Sequence, residues 1–95
     1  MADRHVVVVP ILGSLATYAI VIAWHKEPGE WVEKGELLVT VETRKAAFDL
    51  EADGSGYLVR LVEVGGPVKT GVAVAVLSSE KEGEEAVRSW LAKSA

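Results

Sequence analysis

The sequence predicts an all-β fold, a small sandwich or flattened barrel built from two similar units, and three observations predict it. Apolar and polar residues alternate with a period of two: Val39 and Val41 with Thr40 and Glu42, then Ala46, Phe48 and Leu50 with Ala47, Asp49 and Glu51. Glycine-containing turn signals recur at short intervals between such runs. The third observation is an internal repeat. Residues 27–77 can be laid on themselves at an offset of 36, EPGEWVEKGELLVTV over EVGGPVKTGVAVAVL, which puts Glu27 on Glu63, Gly29 on Gly65, Val32 on Val68 and Gly35 on Gly71.

Each element follows in order. Residues 1–5 read as a polar, frayed lead-in. The four valines at 6–9 read as a strand, which Pro10 stops by removing a ladder donor. Residues 11–17, with Gly13 and Ser14, read as a surface loop, and 18–25 as the second strand. In KEPG at 26–29, Pro28 fixes φ and Gly29 can take positive φ, so the chain reverses there. A short extended piece at 30–33 carries Trp31 and Val32, Lys34-Gly35 makes a second tight turn, and 37–42 rises into a hairpin. Residues 46–51 descend from it to Asp53-Gly54-Ser55-Gly56, the strongest turn signal in the chain. A strand at 57–62, turns at Gly65-Gly66-Pro67 and Thr70-Gly71, and a closing strand at 72–77 repeat the first unit.

The tail changes character at Ser79. Glu80, Glu82, Glu84 and Glu85 precede Arg88 and Lys93, the order that complements a helix dipole, and Ala86, Val87, Trp90 and Leu91 share one face. A helix this short is marginal alone, so it docks either on its own barrel or on a partner. The predicted division is a β domain over 1–78 and an amphipathic helix or tail over 79–95.

Composition excludes several functions. At 95 residues the chain has room for one core, and no cysteine means no disulfide, thiolate nucleophile or thiolate metal site. A net charge of −4 with scattered lysines and arginines argues against a nucleic-acid surface. Residues 6–24 carry no charge, yet Pro10 and Gly13 interrupt them, β-branched residues dominate, and 21–24 match 57–60 by the repeat, so they read as strands rather than a membrane span. His5 and His25 form no metal pair, and Trp24 and Trp31 read as barrel packing. No Ser-His-Asp grouping, phosphate-cradling loop or paired-carboxylate site is visible, so the chain is expected not to be an enzyme.

One singular feature remains between the two repeats: the hairpin tip with Lys45. Taken alone, a lysine there reads as a solvated charge that keeps a turn soluble. Its local string adds to that reading. The sequence resembles the lipoyl domains of the acyltransferase components of 2-oxo acid dehydrogenase complexes over residues 7–77. The resemblance is carried by VVVPILG (7–13), Trp24 followed by KEPGEWVEKGELLVTVETRKA (26–46), SGYL (55–58) and GGPVKTG (65–71).

In that family the site typically reads ETDKA, and its lysine is joined by an amide to lipoic acid; the matching residue is Lys45. The resemblance implies two four-stranded antiparallel sheets with pseudo-twofold symmetry, to which the tail pattern adds a short C-terminal helix. It also implies lipoic acid on Lys45, with Glu42, Thr43, Arg44, Ala46 and Asp49 as recognition residues around the tip. The implied partners are a lipoate-attaching enzyme and the thiamine-diphosphate decarboxylase, acyltransferase and flavin dehydrogenase components, in the cytoplasm or an organellar matrix.

The sequence departs from the family where Arg44 replaces the usual Asp and where 14–19 read SLATYA instead of carrying acidic residues. Arg44 has three readings: a neutral turn residue, a mark for a different partner, or half of a salt pair with Glu42 or Asp49. Three alternatives to a lipoyl carrier stand beside it. A biotin carrier usually has methionine on both sides of the lysine, where this chain has Arg44 and Ala46. A glycine-cleavage H-type carrier usually reads ESVKA at the site, and the last alternative is an unmodified β interaction module.

Overall fold

The computed structural model describes residues 2–10, 18–44 and 46–94. Its strands are β1 (Arg4–Val8), β2 (Tyr18–Trp24), β3 (Trp31–Val32), β4 (Leu37–Glu42), β5 (Ala47–Glu51), β6 (Gly56–Arg60), β7 (Pro67–Lys69) and β8 (Ala73–Ser78), followed by helix α1 (Glu84–Ser94). They form two four-stranded antiparallel sheets, in the orders β1-β8-β6-β3 and β5-β4-β2-β7. Every second side chain of each sheet faces the other, and Val21, Val41, Leu38, Leu58, Val74 and Leu77 are fully buried between them. Each such side chain contributes about 1.5–3 kcal/mol of hydrophobic stabilisation.

The repeat is written into the backbone. Gly29, Gly35, Gly65 and Gly71 take φ of 82°, 93°, 88° and 87°, a left-handed conformation that side chains resist, and each of the first two lies 36 residues before its counterpart. Gly35 N donates to Ala52 O, and its counterpart Gly71 N donates to Val9 O, both at 2.7 Å. Gly29 N donates to Leu58 O at 2.8 Å, and Gly65 N to Val21 O at 2.7 Å. The match of β4 to β8 keeps the offset of 36, so Glu42 lies opposite Ile20 as Ser78 lies opposite Tyr57. An extra residue, Ile22, bulges β2 between Val21 and Ala23. Ile20 therefore corresponds to Tyr57, and Ile22 with Ala23 occupies the place of Val59.

Gly56 sits where β6 and β8 approach closely: a Cβ there would lie 2.8 Å from the backbone of Leu77 and Ser78. Past β8, Gly83 O accepts the first bond of α1 from Val87 N, and Glu84, Glu85 and Lys93 complement the dipole. Val87 is fully buried against Val59, Leu61 and Val76, so the helix docks on its own barrel, on the outer face of the sheet containing β6 and β8.

Two expectations are corrected. Arg4 and His5 belong to β1 rather than to a frayed lead-in, because Arg4 reaches Glu82 with both Nε and a terminal nitrogen while Ser79 N donates to Asp3 O. Trp31 is not core: 43% exposed, it stacks edge-on against Tyr57 with 5.0 Å between centroids. Trp24 does pack against the core, and its indole N–H donates to Val62 O. His5 has a partner, Asp53. The uncharged run of 6–24 contributes β1 and β2, and no helix among the described residues is long and apolar enough to cross a membrane.

Candidate functional site

The β4–β5 hairpin is built by alternation. Val39 and Val41 are buried and Leu50 and Phe48 half-buried opposite them, while Thr40 lies opposite Asp49 and Glu42 opposite Ala47 on the outer face. Beyond that last pair, Thr43 N donates to Ala46 O at 2.9 Å, and Thr43 Oγ1 donates to the same oxygen at 3.3 Å. Thr43 and Ala46 thus close a four-residue turn around positions 44 and 45. Lys45 itself lies outside the described residues, as does the whole of the expected loop at 11–17.

Of the residues expected around the tip, Glu42, Arg44 and Ala46 are exposed and Thr43 is half-buried at the crest. Asp49 stands lower and is engaged elsewhere. It accepts the hydroxyl proton of Thr40 at 2.7 Å, and His25 Nε2 lies 2.7 Å from the same Oγ1. Because Thr40 spends its one proton on Asp49, His25 must donate through Nε2. This His25–Thr40–Asp49 chain is not visible in the sequence, since its members come from β4, β5 and the residue that follows β2. Among the described residues Arg44 pairs with neither Glu42 nor Asp49, which removes the salt-pair reading.

Three other lysines have partners of their own. Lys26 is held by Glu36 at 2.8 Å and Glu30 at 3.8 Å, and the bond to Glu36 lifts its ammonium pKa above the ordinary 10.5. Lys69 lies over the Tyr18 ring and Lys81 over the Tyr57 ring, 6.0 and 5.6 Å from the centroids. An amine attacks only when unprotonated, so a partner that favours the ammonium form disfavours acylation. The tip has exposed flanks at Arg44 and Ala46 and is closed by the Thr43–Ala46 backbone bond.

Comparisons with known proteins agree with this architecture. A family profile described as Biotin-requiring enzyme, covering biotin and lipoyl attachment, matches residues 5–77. The chain is 38% identical over 74 residues to the chloroplastic dihydrolipoyllysine-residue acetyltransferase component 5 of the pyruvate dehydrogenase complex of Arabidopsis thaliana, covering 77% of this chain and 16% of that protein. It is 35% identical over 92 residues to the mitochondrial acetyltransferase component from Neurospora crassa, covering 95% of this chain and 20% of that protein. With the dihydrolipoyllysine-residue succinyltransferase component of the Escherichia coli K12 2-oxoglutarate dehydrogenase complex it shares 34% identity over 88 residues, 93% of this chain and 21% of that protein. The chain spans about a fifth or less of the length of these relatives. With two symmetric sheets, a closed hairpin crest and a profile match over most of its length, the chain belongs to the biotin/lipoyl attachment family, whose members carry a lipoyl or biotinyl group on a lysine.

Proposed function

We propose that this chain is a lipoyl carrier, with residues 1–78 as the carrier domain and 79–95 as its C-terminal element, and that Lys45 takes lipoic acid in amide linkage. The observation that carries the reading is the closed turn Thr43–Ala46, which brackets position 45 at the crest of the fold's one hairpin between the repeats, with exposed residues on both sides. A carrier needs its attachment point held rigidly by paired strands, and β4 and β5 are paired up to Glu42 and Ala47. Bound there, lipoic acid would supply a dithiolane for acyl and electron transfer, chemistry that a chain without cysteine lacks.

The protein's own residues anchor and present. The hairpin fixes the root, Glu42, Thr43, Arg44 and Ala46 form the surface that a lipoate-attaching enzyme reads, and Asp49 keeps Thr40 and His25 oriented below it. The proposed partners are the decarboxylase, acyltransferase and flavin dehydrogenase of a 2-oxo acid dehydrogenase-type complex, in the cytoplasm or an organellar matrix. The chain itself acts as a carrier rather than as a catalyst.

Intact-mass measurement of protein from lipoate-supplied cells tests this. One lipoyl adduct, abolished by Lys45→Arg, is the expected result. A biotin-sized adduct would reassign the cofactor, no adduct would leave an interaction module, and labelling that persists at Lys34 or Lys69 in the variant would overturn the site.

A further inference from the structure

The hairpin tip has a structural twin at the other end of the barrel. Thr43 N donates to Ala46 O at 2.9 Å, and 36 residues on Ser79 N donates to Asp3 O at 2.8 Å. Glu42 opposite Ala47 is repeated by Ser78 opposite Arg4. In the same register Lys45 corresponds to Lys81, whose Nζ turns back over the ring of Tyr57 on the outer sheet face. Beyond Tyr57, α1 covers that face and buries Val59 to 4% exposure.

The matching face of the other sheet has no such cover among the described residues. Ile20, the counterpart of Tyr57, is 44% exposed, and Ile22, which with Ala23 replaces Val59, is 40% exposed. Ile20 lies directly opposite Glu42, three residues before position 45, so this apolar stripe begins one strand away from the foot of the tip. Adjacent strands are about 4.8 Å apart and residues about 3.4 Å along a strand, so an acylated lysine spans the distance to both side chains.

Resting on the reading of Lys45 as the lipoylated residue, we infer that Ile20 and Ile22 form a resting platform on which the lipoyl chain lies back between transfers. The covered twin supplies the argument. A lysine at the corresponding corner already reaches the corresponding residue, and the apolar groups beyond that residue are those the fold elsewhere buries. Acylation removes the lysine charge and adds an unbranched hydrocarbon chain ending in an apolar ring, which favours such a surface. Because both partners sit on one molecule, even a weak contact is populated. The open rim at Pro67 and Lys69 leaves the platform accessible, so the chain can leave it for a partner's active site.

The test uses the full chain with isotope-labelled isoleucine and valine methyl groups, in unmodified form and in lipoylated form verified by intact mass. Lipoylation is expected to shift the Ile20 and Ile22 methyl resonances and to give cross-relaxation between them and the methylene protons of the arm. It should leave Val59 unchanged. In the double variant Ile20→Ser, Ile22→Ser, whose positions are exposed, those contacts should vanish. Alkylation of the reduced arm by iodoacetamide should then accelerate roughly threefold to fivefold, the size expected when about 30–40 Å² of apolar cover is lost. A lipoylated protein whose Ile20 and Ile22 methyls do not shift overturns the platform while leaving the carrier intact. Absence of any adduct overturns the carrier reading and the platform with it.

Discussion

The hairpin tip and the place where β8 leaves and β1 enters are one corner of the fold used twice. At the tip, β4 passes into β5 through Thr43–Ala46, and its closure rests on the backbone with an assist from one hydroxyl. At the other corner β8 leaves and β1 enters as separate strands, so nothing covalent joins Ser79 to Asp3, and side chains do the joining. Arg4 grips Glu82, Ser78 Oγ donates to Glu82 at 2.6 Å, Ser79 Oγ accepts from Asp3 N at 2.8 Å, and Trp90 lies 5.1 Å from the Arg4 guanidinium. The covalent turn is closed by its backbone, whereas the open corner is held together by its side chains.

The largest break of this comparison is at Gly56, whose counterpart in β2 is Ala19. Gly56→Ala drives a Cβ to 2.8 Å from the backbone where β6 meets β8, and is expected to destabilise by about 2–3 kcal/mol in denaturant unfolding. Ala19→Gly, in the half that tolerates a methyl, should cost no more than about 1 kcal/mol. Next in size is Val87→Ala. It opens a cavity under α1 on one sheet face, costs about 1–2 kcal/mol, and should leave the extent of lipoylation at the tip unchanged by mass.

Much of this was legible in the sequence, and the failures have physical causes. The offset of 36 and the paired glycines announced the two halves, because a turn that needs positive φ leaves few choices of residue. Leu37–Glu42 was readable to the residue because its alternation ends at a polar turn. The first β1 residues were not, since Arg4 and His5 look like a polar leader until Glu82, 78 positions away, supplies the partner. The exposed stripe of β2 was hidden for the opposite reason. In YAIVIAW both faces are apolar, so alternation cannot tell which side is bare. Lys45 was singled out by its string and its place between the repeats, while the His25–Thr40–Asp49 chain depends on a register that spacing does not reveal.

Acid sharpens the contrast between corners. Arg4, and after it Ser78, hold the Glu82 carboxyl below its ordinary 4.5. A depressed carboxyl stabilises the fold above its unfolded pKa, and that contribution drains away as pH falls through the folded value, here from 4.5 downward. Amide protection at Ser79 and Asp3 should therefore decline below pH 4.5 ahead of protection at Thr43, read by hydrogen exchange corrected for intrinsic rates. Glu82→Gln should remove most of that difference. Glu36, lowered by Lys26, titrates in the same direction in the turn region, so the test compares the two corners rather than global stability.

The smallest effect on stability is expected from the other arginine. Arg44 at the tip is exposed and makes no ion pair among the described residues, whereas Arg4 at the open corner is bound by Glu82. Arg44→Asp should shift unfolding by less than about 0.5 kcal/mol and leave the Lys45 adduct in place. Its consequence should lie in association. Reversing a charge on an exposed rim changes the rate of encounter and its salt dependence more than it changes contacts once formed. Arg44→Asp should therefore alter the rate of acylation by a cognate decarboxylase severalfold at low salt and converge on the unmutated rate at high salt. A salt-independent change would place Arg44 inside the docked contact, and no change would make it a turn residue only. The same reversal at Arg4 should instead loosen the corner where β1 meets β8, because there the charge is held by Glu82.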